Sequence, residues 1–116
     1  MSTPKSRKAK GRRLQNEVRQ KILHKFPSIS EDLVDVAIMG ESGNDVRTSG
    51  VAGSIVPLDF ECKNTEKLNV WKAIEQAESN KTTDKYPVVV FKRNRSDIYA
   101  TLKLDDLLEI LKNANL

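Results

Sequence analysis

The chain has 116 residues, the size of one domain, with 31% charged residues and a net charge of +4. Its purely apolar runs, such as Val88 to Phe91, are far too short to span a bilayer, and the N-terminus lacks the apolar segment of a secretory signal. Cys62 is the single cysteine and His24 the single histidine, which excludes an internal disulfide and argues against zinc, so any metal must be held by carboxylates.

Cysteine usage predicts an intracellular, cytoplasmic setting, and the short apolar runs predict no membrane partner. Charge is unevenly spread. Residues 1–25 hold nine Lys or Arg against one acid, Glu17, whereas the remainder holds eleven basic and fifteen acidic residues. A basic arm on an acidic body suits a polyanion through phosphate neutralisation, and it equally suits a solvated tail. Residues 1–10 show no apolar periodicity, so they are expected to form a disordered basic arm ahead of a folded domain over 11–116. From Gly11 onward, Leu14, Val18, Ile22 and Phe26 recur every four residues, the spacing of one helical face, and Pro27 ends that helix.

Leu33, Val34, Val36, Ile38 and Met39 then read as a strand, followed by a turn over Gly40-Glu41-Ser42-Gly43-Asn44-Asp45. Val46 to Ser49 begin a second strand, Gly50 to Gly53 read as a tight connection, and Ser54 to Lys63 read as a third strand. Pro57 within it suggests an edge position or a bulge. Asn69 is placed to cap a helix reaching about Asn80, with Trp71, Ile74 and Ala77 along one side. Tyr86 to Lys92 carry a continuous apolar run, expected of a strand covered on both faces. Ile98 to Leu104 form another strand, and Asp105-Asp106 are placed to cap a final helix bearing Leu107, Leu108, Ile110 and Leu111. The order predicts a single α/β domain, a central mixed β-sheet flanked by helices.

The chemistry concentrates in Asp59-Phe60-Glu61-Cys62-Lys63-Asn64. Strand side chains alternate, so burying Phe60 and Cys62 places Asp59, Glu61 and Lys63 on the opposite face. Pairing with the upstream strand brings Asp45 beside Glu61. Two carboxylates and a lysine then converge, and carboxylate oxygens are hard ligands suited to Mg²⁺. Simpler readings stand beside this one. Glu61 and Lys63 form a surface ion pair, Asp45 bonds its own turn, Glu17 pairs with Lys21 one helical turn on, and Gln76 is structural. Asp59 is the rival metal ligand, and Cys62 reads as a small core residue.

Gly43-Asn44-Asp45, fifteen residues, then Glu61-Cys62-Lys63 resembles the signature of the PD-(D/E)XK nuclease superfamily, with Asn44 where the name-giving proline would stand. Gly11-Arg12-Arg13-Leu14-Gln15-Asn16-Glu17 resembles the N-terminal helix of archaeal-type Holliday-junction resolvases, in which a helix glutamate joins the metal site. Glu41-Ser42-Gly43-Asn44-Asp45 and Phe60-Glu61-Cys62-Lys63-Asn64 are similar to further segments of that group, including phage-encoded relatives. The resemblance implies a restriction-endonuclease-like fold and a homodimeric enzyme that hydrolyses phosphodiester bonds in DNA, with four-way junctions as substrate. Other branched, nicked, single-stranded or duplex DNA, and a non-catalytic nucleic-acid-binding module, are the alternatives. It further implies Mg²⁺, with Mn²⁺ as substitute, held by Asp45, Glu61, Glu17 and the backbone carbonyl of Cys62, with Lys63 catalytic. Lys5, Arg7, Lys8, Lys10, Arg12, Arg13, Ser42 and Gln76 are then the expected DNA contacts.

Overall fold

The computed structural model describes residues 3–38, 43–82 and 84–115. Its elements are α1 (Pro4–Lys25), β1 (Val34–Val36), β2 (Val46–Thr48), α2 (Gly50–Ile55), β3 (Leu58–Asn64), α3 (Val70–Asn80), β4 (Tyr86–Lys92), β5 (Tyr99–Thr101) and α4 (Leu104–Ala114), with one 3-10 turn at Glu31–Leu33. The strands form one open sheet in chain order, antiparallel except for the parallel β3–β4 pair. That pair is parallel because α3 returns the chain across the sheet before β4 begins. The result is the expected α/β class with a central mixed sheet.

Helix α1 begins earlier than its apolar pattern suggests. The segment expected to be a disordered arm is, from Pro4 on, the first two turns of this helix. The Thr3 hydroxyl accepts from the Ser6 N–H at 3.1 Å, and the Ser6 hydroxyl accepts from the Thr3 N–H at 3.0 Å. This reciprocal cap satisfies two otherwise orphaned donors, and Pro4 sits at the first helical position, where its missing N–H costs nothing. Lys, Arg and Ala then propagate the helix on propensity alone. Asn64 ties it down, its Nδ2 donating to the Lys10 carbonyl at 3.0 Å.

Leu14, Val18 and Ile22 of α1 are buried against Phe60, Cys62, Val88 and Val90. Each such side chain contributes about 1.5–3 kcal/mol through removal of its apolar area from water. The opposite face of the sheet is covered by α3, where Ala73 and Ala77 pack on Val89. Two alanines at the contact keep that helix close to the sheet. Strands β3 and β4 are therefore enclosed on both sides, as the apolar run at Val88–Phe91 predicts.

Three local expectations change. Gly50 to Gly53 are not a tight turn but most of α2, whose entry uses Gly50 at φ +54°. Pro57 lies just before β3, which is a central strand and not an edge, and its carbonyl accepts from the Tyr86 N–H at 2.9 Å. Asp105 and Asp106 occupy the first turn of α4 and do not cap it; Lys103 stands at the cap and makes no side-chain capping bond. Among the described residues, no helix is long and apolar enough to cross a membrane.

Candidate active site

Strand β2 pairs with β3 through a single register point, Val46 opposite Phe60. Beyond it the backbone ladder is continued by a side chain. The Asp45 N–H donates to the Phe60 carbonyl at 2.8 Å, and Asp45 Oδ2 accepts from the Cys62 N–H at 2.7 Å. Asp45 is thereby fixed against β3 at the point where β2 begins. Alternation along β3 turns Phe60 and Cys62 into the α1 core and leaves Asp59, Glu61 and Lys63 on the α3 face.

Glu61 is buried, with 3% of its surface exposed. Burial and the neighbouring Asp45 carboxylate push its pKa up to about 7 from an ordinary value of 4.5, against the lowering effects of Lys63 and Asn80. The Asn80 amide, on the last turn of α3, lies 3.5 Å from both Glu61 Oε1 and the Gly43 carbonyl. Two adjacent carboxylates, one of them deeply buried, are costly for a fold to keep, and such perturbed acids concentrate at functional sites. Lys63 Nζ donates to Gln76 Oε1 at 2.8 Å, so the lysine is held by α3 and does not form the surface ion pair with Glu61.

Asp59 answers to a different purpose. Although it shares the face of Glu61, its Oδ2 accepts from the Thr82 N–H at 2.6 Å and the Thr82 hydroxyl at 2.8 Å. It fastens the chain leaving α3 and is not free to serve as the rival ligand. Cys62 is a core residue whose burial raises its thiol pKa strongly, so the thiol stays protonated.

The structure does not bring Glu17 to this pair. Leu14, Val18 and Ile22 set the sheet-facing side of α1, which leaves Glu17 exposed beside Gln20, Lys21, His24 and Lys25. Helix α1 also lies on the sheet face opposite Glu61. Gln15, which the sequence pattern passes over, is only 4% exposed and its Oε1 has no hydrogen-bond partner among the described residues. The signal for it was its place beside Leu14, one helical turn before Arg19, whose guanidinium reaches the Val34 carbonyl of β1 at 2.8 Å.

Among the described residues, no three His, Cys, Asp or Glu side chains gather as a ligand set. Two hard, adjacent carboxylates still fit Mg²⁺, which commonly takes one or two protein acids and completes its shell with water and substrate phosphate. A cation would also relieve the repulsion that raises the Glu61 pKa. Of the expected DNA contacts, Lys5, Arg7, Lys8, Arg12 and Arg13 are exposed on α1, Lys10 is partly covered, and Gln76 is exposed beside Lys63; Ser42 lies outside the described residues. The Asn64–Lys10 bond places this basic stretch next to the end of the strand that carries Glu61 and Lys63. No protein-family model, curated protein or solved structure matches this chain.

Proposed function

We propose that this protein is a metal-dependent endodeoxyribonuclease that hydrolyses phosphodiester bonds at Asp45, Glu61 and Lys63, acting on branched DNA such as the four-way junction. The observation that carries the reading is the buried Glu61 carboxyl beside the half-buried Asp45 carboxylate, with Lys63 held close by. The exposed basic run of α1, which meets the end of β3 on the other face of the sheet, supports DNA as the substrate, since phosphate neutralisation supplies sequence-independent affinity.

Asp45 and Glu61 would hold Mg²⁺ or Mn²⁺, and the ion when bound supplies Lewis-acid stabilisation of phosphoryl charge and a lowered pKa for water. The remaining work falls to the chain. The Cys62 N–H fixes one oxygen of Asp45, and Asn80 orients Glu61. Lys63, steadied by Gln76, places a positive charge where negative charge develops on the phosphate. Attack by water on phosphorus with departure of the 3′ oxygen leaves 5′-phosphate and 3′-hydroxyl ends. Two copies acting together would cut paired strands of a junction.

The test is cleavage of a labelled four-way junction, matched duplex and matched single strand, with Mg²⁺ or with chelator. Cleavage that requires Mg²⁺, prefers the junction and disappears in Asp45→Asn and Glu61→Ala is the expected result. Preference for another DNA form would reassign the substrate within the same chemistry. Binding without cleavage of any form would leave a nucleic-acid-binding module and overturn the catalytic reading.

A further inference from the structure

A cleft of about 370 Å³ opens where the parallel strands β3 and β4 end. Its size falls at the lower end of the roughly 300–1,000 Å³ range of small-ligand pockets, and open α/β sheets bind ligands beyond the carboxyl ends of their parallel strands. Leu68, Phe91 and Tyr99 form its apolar lining, and Lys92, Arg93 and Glu66 its charged lining. The Phe91 and Tyr99 rings stack, with centroids 6.2 Å apart and planes inclined at 29°. Phe91 packs against the α3 core, whereas Tyr99, on the edge strand β5, is 58% exposed. One aromatic ring is thus braced from behind and still open to solvent. Beside it, Lys92, Arg93 and Arg95 put three cations into four residues. Glu66 is already engaged, its Oε2 accepting from the Asn94 N–H of that turn at 2.6 Å. Arg95 sits at φ +62°, a left-handed conformation that Gly or Asn adopts more readily, so the turn keeps an arginine against local backbone preference. Lys63 lies opposite Phe91 in the β3–β4 register, and both are on the α3 face. The cleft therefore begins one strand spacing, about 4.8 Å, from the strand that carries the catalytic lysine.

We propose that this cleft is a subsite for one unpaired nucleotide of a nucleic-acid strand. The base stacks on Tyr99, braced by Phe91, and the flanking phosphates meet Lys92 and Arg93. An exposed ring beside cations is the combination that holds single strands without reading their sequence. A purely apolar ligand would leave the cations unused, and a bare anion would leave the rings unused. A base inside a continuous duplex has both faces covered by its neighbours, so only one released from the stack can enter. These residues are separate from the basic run of α1, whose helix packs on the other face of the sheet. The inference rests on the reading of this chain as a DNA-acting protein and narrows its substrate. A strand with an unpaired base near the phosphate to be cut, as at a branch point, nick or flap, fits the cleft; continuous duplex does not.

Fluorescence anisotropy of the full chain with labelled short strands tests it, in chelator so that cleavage plays no part. A thymidine strand and an abasic strand of equal length carry the same phosphates and differ only in their bases. The wild type should hold the thymidine strand about tenfold or more tightly than the abasic one, the scale of one base stacked on an aromatic ring. Tyr99→Ala should erase that difference without changing abasic binding, and Tyr99→Phe should keep it, with circular dichroism confirming that both fold. Lys92→Gln with Arg93→Gln should weaken both strands and lower the slope of log affinity against log salt by about 0.7 for each lost phosphate contact. Equal affinity for the two strands in the wild type, or a preference that survives Tyr99→Ala, overturns the subsite and leaves the cleavage reading untouched. An unchanged salt slope overturns the phosphate contacts. Displacement of the strand by an equimolar amount of thymidine monophosphate overturns it in favour of a site for free nucleotide. A Tyr99-dependent base preference in a chain that cuts no DNA supports the subsite and overturns only the catalytic reading. Failure to bind any strand overturns both.

Discussion

Replacing Glu61 by Gln should change how stability depends on pH, and the size follows from the site. The folded chain holds the Glu61 carboxyl up to about 7, whereas an unfolded chain titrates it near 4.5. Between those values the native state keeps a proton that the unfolded state has released, so stability falls as pH rises. The contribution is fully present below about 4.5 and is lost as pH passes about 7. At about 1.4 kcal/mol per pH unit, the loss is on the order of 3 kcal/mol, a large share of a small domain's stability. Urea unfolding of metal-free wild type and Glu61→Gln across that range is the assay. The wild type should lose stability relative to the variant with increasing pH, and Mg²⁺ should recover it above neutrality by binding the charged pair. Parallel pH profiles for the two proteins would refute the argument from the burial of Glu61 beside Asp45. A wild type that gained on the variant with rising pH would do so even more directly.

Lys63→Ala should slow cleavage by about a hundredfold or more with little change in metal affinity, read by single-turnover kinetics at saturating Mg²⁺. Asp59→Ala should cost about 2 kcal/mol in urea unfolding through the lost Thr82 bonds, yet leave the metal requirement unchanged; a shifted Mg²⁺ dependence would return Asp59 to the metal site. Changing Lys5, Arg7 and Lys8 together to Gln preserves helix propensity and should lower the slope of log affinity against log salt by about one for each lost phosphate contact. Turnover at saturating DNA should survive that change, since these residues lie outside the catalytic set.

What was legible in the sequence was whatever depends on local periodicity. Alternation along Asp59–Lys63 separates core from site side chains, and the period-four stripe in α1 identifies Leu14, Val18 and Ile22 as buried. What escaped depends on partners distant in the chain. Asp59 and Glu61 are equivalent by alternation, and only Thr82, more than twenty residues away, distinguishes an anchor from a site acid. Glycines at 50 and 53 look like turn signals, but α2 tolerates them because its stability comes from the burial of Ala52. The basic segment before Gly11 has no apolar stripe to reveal a helix; its order comes from the Thr3–Ser6 cap and from Asn64. A stripe also fixes which side of a helix faces inward without saying which sheet face it meets; the resemblance implies Glu17 as a metal ligand, yet its helix packs on the sheet face opposite Glu61.

The bond from the Cys62 amide to the Asp45 carboxylate has a practical consequence. A backbone N–H is the most readily observed group in a nitrogen-15 spectrum, and this one is held 2.7 Å from an oxygen of the proposed metal site. Its resonance should follow the charge on that oxygen, moving as the carboxylate pair gains a proton or meets a cation. The protein thus carries a built-in indicator of its own site, readable without substrate, label chemistry or a reactive metal.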